Sequence, residues 1–96
     1  MPPPAIQIHI HVPAPLRAYS GGASRLSLSA ASVRLALEEM ERLHPTLHGC
    51  IRDETGALRR HVNLFVNHDH IRDLAGLDTE LAEGDLLTIL PAVSGG

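Results

Sequence analysis

Residues 32–45 read Ser32-Val33-Arg34-Leu35-Ala36-Leu37-Glu38-Glu39-Met40-Glu41-Arg42-Leu43-His44-Pro45. Val33, Ala36, Leu37, Met40 and Leu43 recur at the spacing of one helix face, and Arg34, Glu38, Glu41 and Arg42 occupy the opposite one. The Ser32 hydroxyl can accept from a free backbone N–H of the first turn, and Pro45 opposes continuation at the far end. The stretch therefore predicts one amphipathic helix with a defined start and stop. With a single apolar face it can cover only one side of a neighbouring layer, so the fold depends on what flanks it.

On both sides the period changes from helical to two. Upstream, Ile6, Ile8, Ile10 and Val12 alternate with Gln7, His9 and His11, the pattern of a strand with one buried face. Pro13, Pro15, Gly21 and Gly22 break the chain before Arg25-Leu26-Ser27-Leu28-Ser29 alternates again, so the two segments predict a wide hairpin. Downstream, His48 to Leu58 has no sustained period and reads as a loop carrying Cys50. Val62, Leu64 and Val66 then alternate with Asn63, Phe65 and Asn67, and a turn at Asn67-His68-Asp69 leads into a short strand at His70-Ile71-Arg72. A last strand, Leu86 to Leu90, follows the Glu83-Gly84-Asp85 turn and is closed by Pro91, which lacks a backbone donor.

The order strand, strand, helix, strand, short strand, strand predicts an α+β fold, a ubiquitin-like β-grasp in which a mixed sheet carries one long helix packed on one face. Residues 1–90 are expected to form this domain and residues 91–96 a flexible C-terminal tail. The chain of 96 residues suits one domain with a modest core, and its apolar content of 44% with 20% charged residues is that of a globular protein. Net charge is −3 and the eight basic residues, all arginine, are scattered, which argues against direct nucleic-acid binding. Cys50 is the single cysteine, so an internal disulfide or multi-cysteine metal site is excluded and a reducing compartment is expected. The start Met1-Pro2-Pro3-Pro4 has no export signal and no apolar run approaches a membrane span, so the expected location is cytoplasmic, away from membranes.

Several short motifs occur in a telling order. Val12-Pro13 precedes Leu16-Arg17 and Gly21-Gly22; the helix ends in His44-Pro45; Val62-Asn63 leads to Val66-Asn67; Gly84-Asp85 and Leu90-Pro91 precede a terminal Gly95-Gly96. In this order and spacing, over nearly the whole chain, they resemble the sulfur carriers of molybdopterin, thiamine and cysteine biosynthesis, the MoaD/ThiS family. The run Val62 to Asn67, followed by Asp69-x-Ile71-Arg72, Gly76-Leu77-x-Thr79 and Leu90-Pro91-Ala92-Val93, is most similar to the cysteine-forming and thiouridine-forming carriers.

The resemblance implies a chemistry centred on the C-terminal carboxylate of Gly96. At neutral pH such a group is ionised and a poor electrophile, so activation must precede transfer. An E1-like adenylating enzyme would let the carboxylate attack the α-phosphate of ATP, and sulfur would displace AMP from the acyl adenylate to leave a thiocarboxylate. The implied acceptor is a PLP-dependent cysteine synthase-like enzyme, a tRNA thiolase or the molybdopterin synthase large subunit. In the cysteine route a metalloprotease cuts the product from the tail. The chain would then be a protein cosubstrate with no catalytic residue and no bound cofactor, ATP being consumed by its partner. Val93, Ser94, Gly95 and Gly96 would enter the partner's active site, and the two glycines suit a narrow channel because they carry no side chain.

Phe65 points opposite to Val62, Leu64 and Val66 and is expected on the uncovered sheet face, where one of only two aromatics in the chain can anchor a partner. His9-x-His11 and His68-x-His70 each place two imidazoles on one strand face, but zinc sites use three or four ligands and no further donor has a recognised spacing, so no metal is expected. Cys50 has no motif that would activate it. Two alternatives stand beside the free carrier: the small subunit of molybdopterin synthase, and a ubiquitin-like modifier conjugated through Gly96. A binding module would give the terminal glycines no role.

Overall fold

A computed structural model describes residues 6–91 of the chain. Five strands form one sheet in the order β2-β1-β5-β3-β4, where β1 is Gln7–His11, β2 Arg25–Ser29, β3 Val62–Val66, β4 Asp69–His70 and β5 Leu86–Pro91. The β1–β2 pair is antiparallel with Ile8 opposite Leu28, as the two alternating segments predict. The last strand of the chain enters the middle of the sheet, parallel to β1 (Ile10 opposite Leu87) and antiparallel to β3 (Leu64 opposite Ile89). This is the mixed sheet of the β-grasp.

Helix α1, Val33–Leu43, lies across one face, and the Ser32 hydroxyl accepts from the Leu35 N–H at 3.2 Å. Such a cap contributes about 1 kcal/mol. Val33, Ala36, Leu37 and Met40 are fully buried against Ile8, Ile10, Leu64, Leu87 and Ile89. Leu43, expected on the same face, is instead 46% exposed, because the helix-to-core contact ends with Met40 one turn earlier.

The single-helix expectation is incomplete. Pro45 ends α1 and also opens a second helix, α2, Pro45–Ile51. Proline is favoured at a first helical position, where the missing N–H would have no intrahelical acceptor. Leu47 and Ile51, one turn apart, are fully buried and hold α2 against the core. Cys50 therefore sits in the last turn of a helix rather than in a loop, half-buried. Two smaller differences have the same origin in short elements. The breaker-rich segment after β1 winds into a 3-10 helix, Ala14–Ser20, and the strand expected at His70 to Arg72 ends at His70, giving way to a 3-10 turn, Ile71–Asp73.

Candidate functional site

β5 lies between β1 and β3; β1 pairs with it as far as Thr88, and beyond that β3 alone holds the end of the described chain, Leu90 pairing with Asn63 and Pro91 with Val62. Five further residues span at most about 18 Å when fully extended. Val93, Ser94, Gly95 and Gly96 lie outside the described residues. Their point of departure is Pro91, paired with Val62 of β3.

The start of β5 is set by a polar clamp. Gly84 has φ 85, a left-handed conformation that favours glycine. The next residue, Asp85, accepts from the Ala82 N–H at 2.9 Å and from Asn67 Nδ2 at 3.1 Å. Asn67, itself at φ 57, accepts the Leu86 N–H on its Oδ1 at 3.1 Å and donates its own N–H to the Leu86 carbonyl at 2.7 Å. The Gly84-Asp85 and Val66-Asn67 motifs thus meet in space and fix the register of the strand that carries the tail.

The sheet face opposite α1 is uncovered among the described residues. Cross-strand pairing sets Arg25, His11, Thr88, Phe65 and His70 in one row across all five strands. Phe65 is half-buried in that row, and its ring meets the His70 imidazole edge-on with centroids 5.0 Å apart. His70 Nδ1 accepts from the Arg72 N–H at 3.0 Å, so its Nε2 carries the proton and donates to Asn63 Oδ1, also at 3.0 Å. Leu90, 43% exposed, adds a second apolar side chain next to Asn63. Sequence reasoning missed Leu90, although its alternation with the buried Ile89 places it on this face.

The histidine pairs do not converge. His9 Nδ1 meets Ser27 Oγ at 3.0 Å and His70 is held by Asn63, while His68 is exposed in the turn. No group of three His, Cys, Asp or Glu side chains suited to a metal ion occurs among the described residues. Cys50 faces a cleft of about 420 Å³ that Tyr19, His61 and Val62 also line, beside the end of β5.

A polar pair was invisible in the sequence. His48 and Arg52, one turn apart, are 7% and 8% exposed, and Arg52 Nε donates to His48 Nε2 at 2.9 Å. The imidazole is thereby neutral with its proton on Nδ1, which lies 3.9 Å from Glu41 Oε2. Burial pushes the His48 pKa below its ordinary value, the Arg52 charge adds to this, and Glu41 opposes it. The i, i+4 spacing is the signal that would have found the pair had α2 been recognised.

The described residues form a β-grasp whose last strand lies inside the sheet, and comparison with known proteins gives the family. A profile described as the ThiS family matches residues 10–96. The chain belongs to the ThiS family. It is 33% identical over 93 residues to the sulfur carrier protein CysO of Mycobacterium tuberculosis, covering 95% of this chain and 100% of that protein. Among solved structures, the BexX/CysO complex of Amycolatopsis orientalis contains a chain of similar fold at 34% identity and TM-score 0.84, covering 93% of this chain and 99% of that one. Small archaeal modifier protein 1 of Methanosarcina acetivorans is 32% identical with TM-score 0.82, covering 98% and 100%. The ThiS match includes residues 92–96, so the terminal glycines belong to the part of this chain that is held in common with the family.

Proposed function

We propose that this ThiS-family chain is a sulfur carrier that serves cysteine biosynthesis, with the Gly96 carboxylate as its working group. The observation that carries the reading is the full-length likeness to the sulfur carrier protein CysO, over 100% of that protein. The chain is a protein cosubstrate. An E1-like enzyme spends ATP to adenylate Gly96, sulfur displaces AMP, and the thiocarboxylate is presented to an acceptor enzyme in the cytoplasm. Val93, Ser94 and Gly95 thread the tail into each partner, and the open sheet face around Phe65 docks against it. Two features support this division of labour. The clamp of Asn67 on Asp85 and the central position of β5 give the tail a fixed root, and the exposed apolar groups lie on the same strands as that root.

The test is intact-protein mass spectrometry after incubation with ATP, a cognate E1-like enzyme and a sulfur source. The expected result is a mass gain of one sulfur in place of one oxygen, absent from a chain lacking Gly96. No gain with several active cognate enzymes would overturn the carrier reading. The likeness to small archaeal modifier protein 1 favours a second reading, conjugation through Gly96 to lysines of other proteins. Slower-migrating conjugates in cells would support it, whereas unconjugated chain with a thiocarboxylate terminus would exclude it.

A further inference from the structure

Between α2 and the turn at 53–56 lies a cleft of about 510 Å³, away from the open sheet face, and Arg52 is on its wall. The guanidinium is nearly sequestered, the residue being 8% exposed, yet Arg52 takes part in none of the ion pairs among the described residues. Its Nε is used by His48, a neutral acceptor, and its two terminal nitrogens donate to no acceptor in the described protein. These nitrogens are not sealed in the interior either, since no buried side-chain N or O among the described residues lacks a partner. They keep solvent access, and the cleft that Arg52 lines is where an ion could reach them. A guanidinium that is held by its Nε and has its terminal nitrogens free presents two N–H groups in the geometry that grips an oxyanion.

Arg59 reinforces the same wall. Its Nε donates to the Gly49 carbonyl at 2.8 Å, which anchors the side chain across the cleft while leaving its terminal nitrogens without a partner among the described residues. Three carboxylates also line the cleft, and none neutralises Arg52. Asp53 Oδ1 is occupied by the Thr55 hydroxyl, the Thr55 N–H and the Ala57 N–H, bonds that hold its pKa below the usual carboxylate value, and the Arg59 charge adds to this without an ion pair forming between the two. Glu41, with its side chain 62% exposed, leans towards His48 Nδ1, and Glu54 is exposed at the rim.

We propose that this cleft is a binding site for a phosphate-sized oxyanion, gripped by the terminal nitrogens of Arg52 and Arg59. The buried guanidinium is the anchor and the more exposed Arg59 closes over the ligand from the side.

The experiment is a titration of the full chain with inorganic phosphate, followed by 15N–1H correlation spectra at constant pH and at ionic strength held constant with sodium chloride. Saturable shifts confined to His48, Arg52, Thr55 and Arg59, including the Arg52 Nε–H signal, are expected. Arg52→Gln should weaken binding about tenfold, as expected for loss of one charge-assisted pair. Should that variant fail to fold, Arg59→Gln removes an exposed cation and should also weaken binding several-fold. Shifts that stay linear in phosphate, spread over other arginines, or persist unchanged in a folded variant would overturn the site.

Discussion

Asn67 and Asp85 are eighteen residues apart and hold each other at 3.1 Å, the side-chain amide of one donating to the carboxylate of the other. Asn67 also accepts the Leu86 N–H and sits at φ 57, so a single side chain aligns the end of β3 with the start of β5. Asn67→Ala should destabilise the fold by about 2 kcal/mol, the sum of lost hydrogen bonds and left-handed strain. Asn67→Gly, which adopts that φ freely, should cost only about 1 kcal/mol. Urea unfolding of both variants checks this, and equal losses would show that backbone conformation contributes nothing.

Ile89 is fully buried at the centre of the sheet, opposite Leu64, one residue before the exposed Leu90. Truncation to Ala should cost about 2–5 kcal/mol and to Val about 1 kcal/mol, through lost burial and the cavity left behind. For a domain of this size the Ala variant should be close to unfolding. Thermal denaturation of Ile89→Val and Ile89→Ala would give the two values.

His48 should make stability pH-dependent. Its folded-state pKa lies below the ordinary value of about 6.5, so on acidification the unfolded chain takes up the proton first. The contribution of His48 is therefore fully present above about pH 6.5 and is lost as pH falls from there through the folded-state value, with a slope of at most about 1.4 kcal/mol per pH unit. His48→Gln can still accept from Arg52 and should flatten that part of the curve. The other six histidines are common to both proteins, so the difference between the two profiles isolates this residue. Parallel profiles would count against a buried neutral imidazole.

Phe65 is expected to matter for partners more than for folding. It is only half-buried, and its ring contact is with His70 on the open face. Phe65→Ala should weaken association with the activating or acceptor enzyme by about tenfold or more, as for an aromatic anchor, while costing less stability than Ile89→Ala. Calorimetric binding and thermal melts on the same sample separate the two effects. Unchanged affinity would place the anchor elsewhere on the sheet.

Much of this fold was legible because long elements advertise their period. The alternation at Gln7–His11, Arg25–Ser29 and Val62–Val66 and the helical spacing from Val33 to Met40 each place a side chain on a face before any contact is known. The same alternation placed Phe65 opposite the buried Val62, Leu64 and Val66. The short motifs from Val12-Pro13 to Gly95-Gly96, in their order over nearly the whole chain, pointed to the family.

The tertiary structure decided what short segments do. Seven residues containing Gly49 are too few to form a stable helix alone, and α2 exists because Leu47 and Ile51 are buried against the core. Strand order is likewise a property of the packed sheet: no local pattern says that the last strand enters between the first and third. The meeting of Asn67 with Asp85, and the burial of Arg52 beside His48, depend on where distant or unrecognised elements come to rest. Sequence alone determined which residues of the long periodic elements face inward, since periodicity is local, and its motif order carried the resemblance to the family. Tertiary packing determined which polar groups are brought together and which are left facing a cleft, since burial and partnership exist only once the chain has closed on itself.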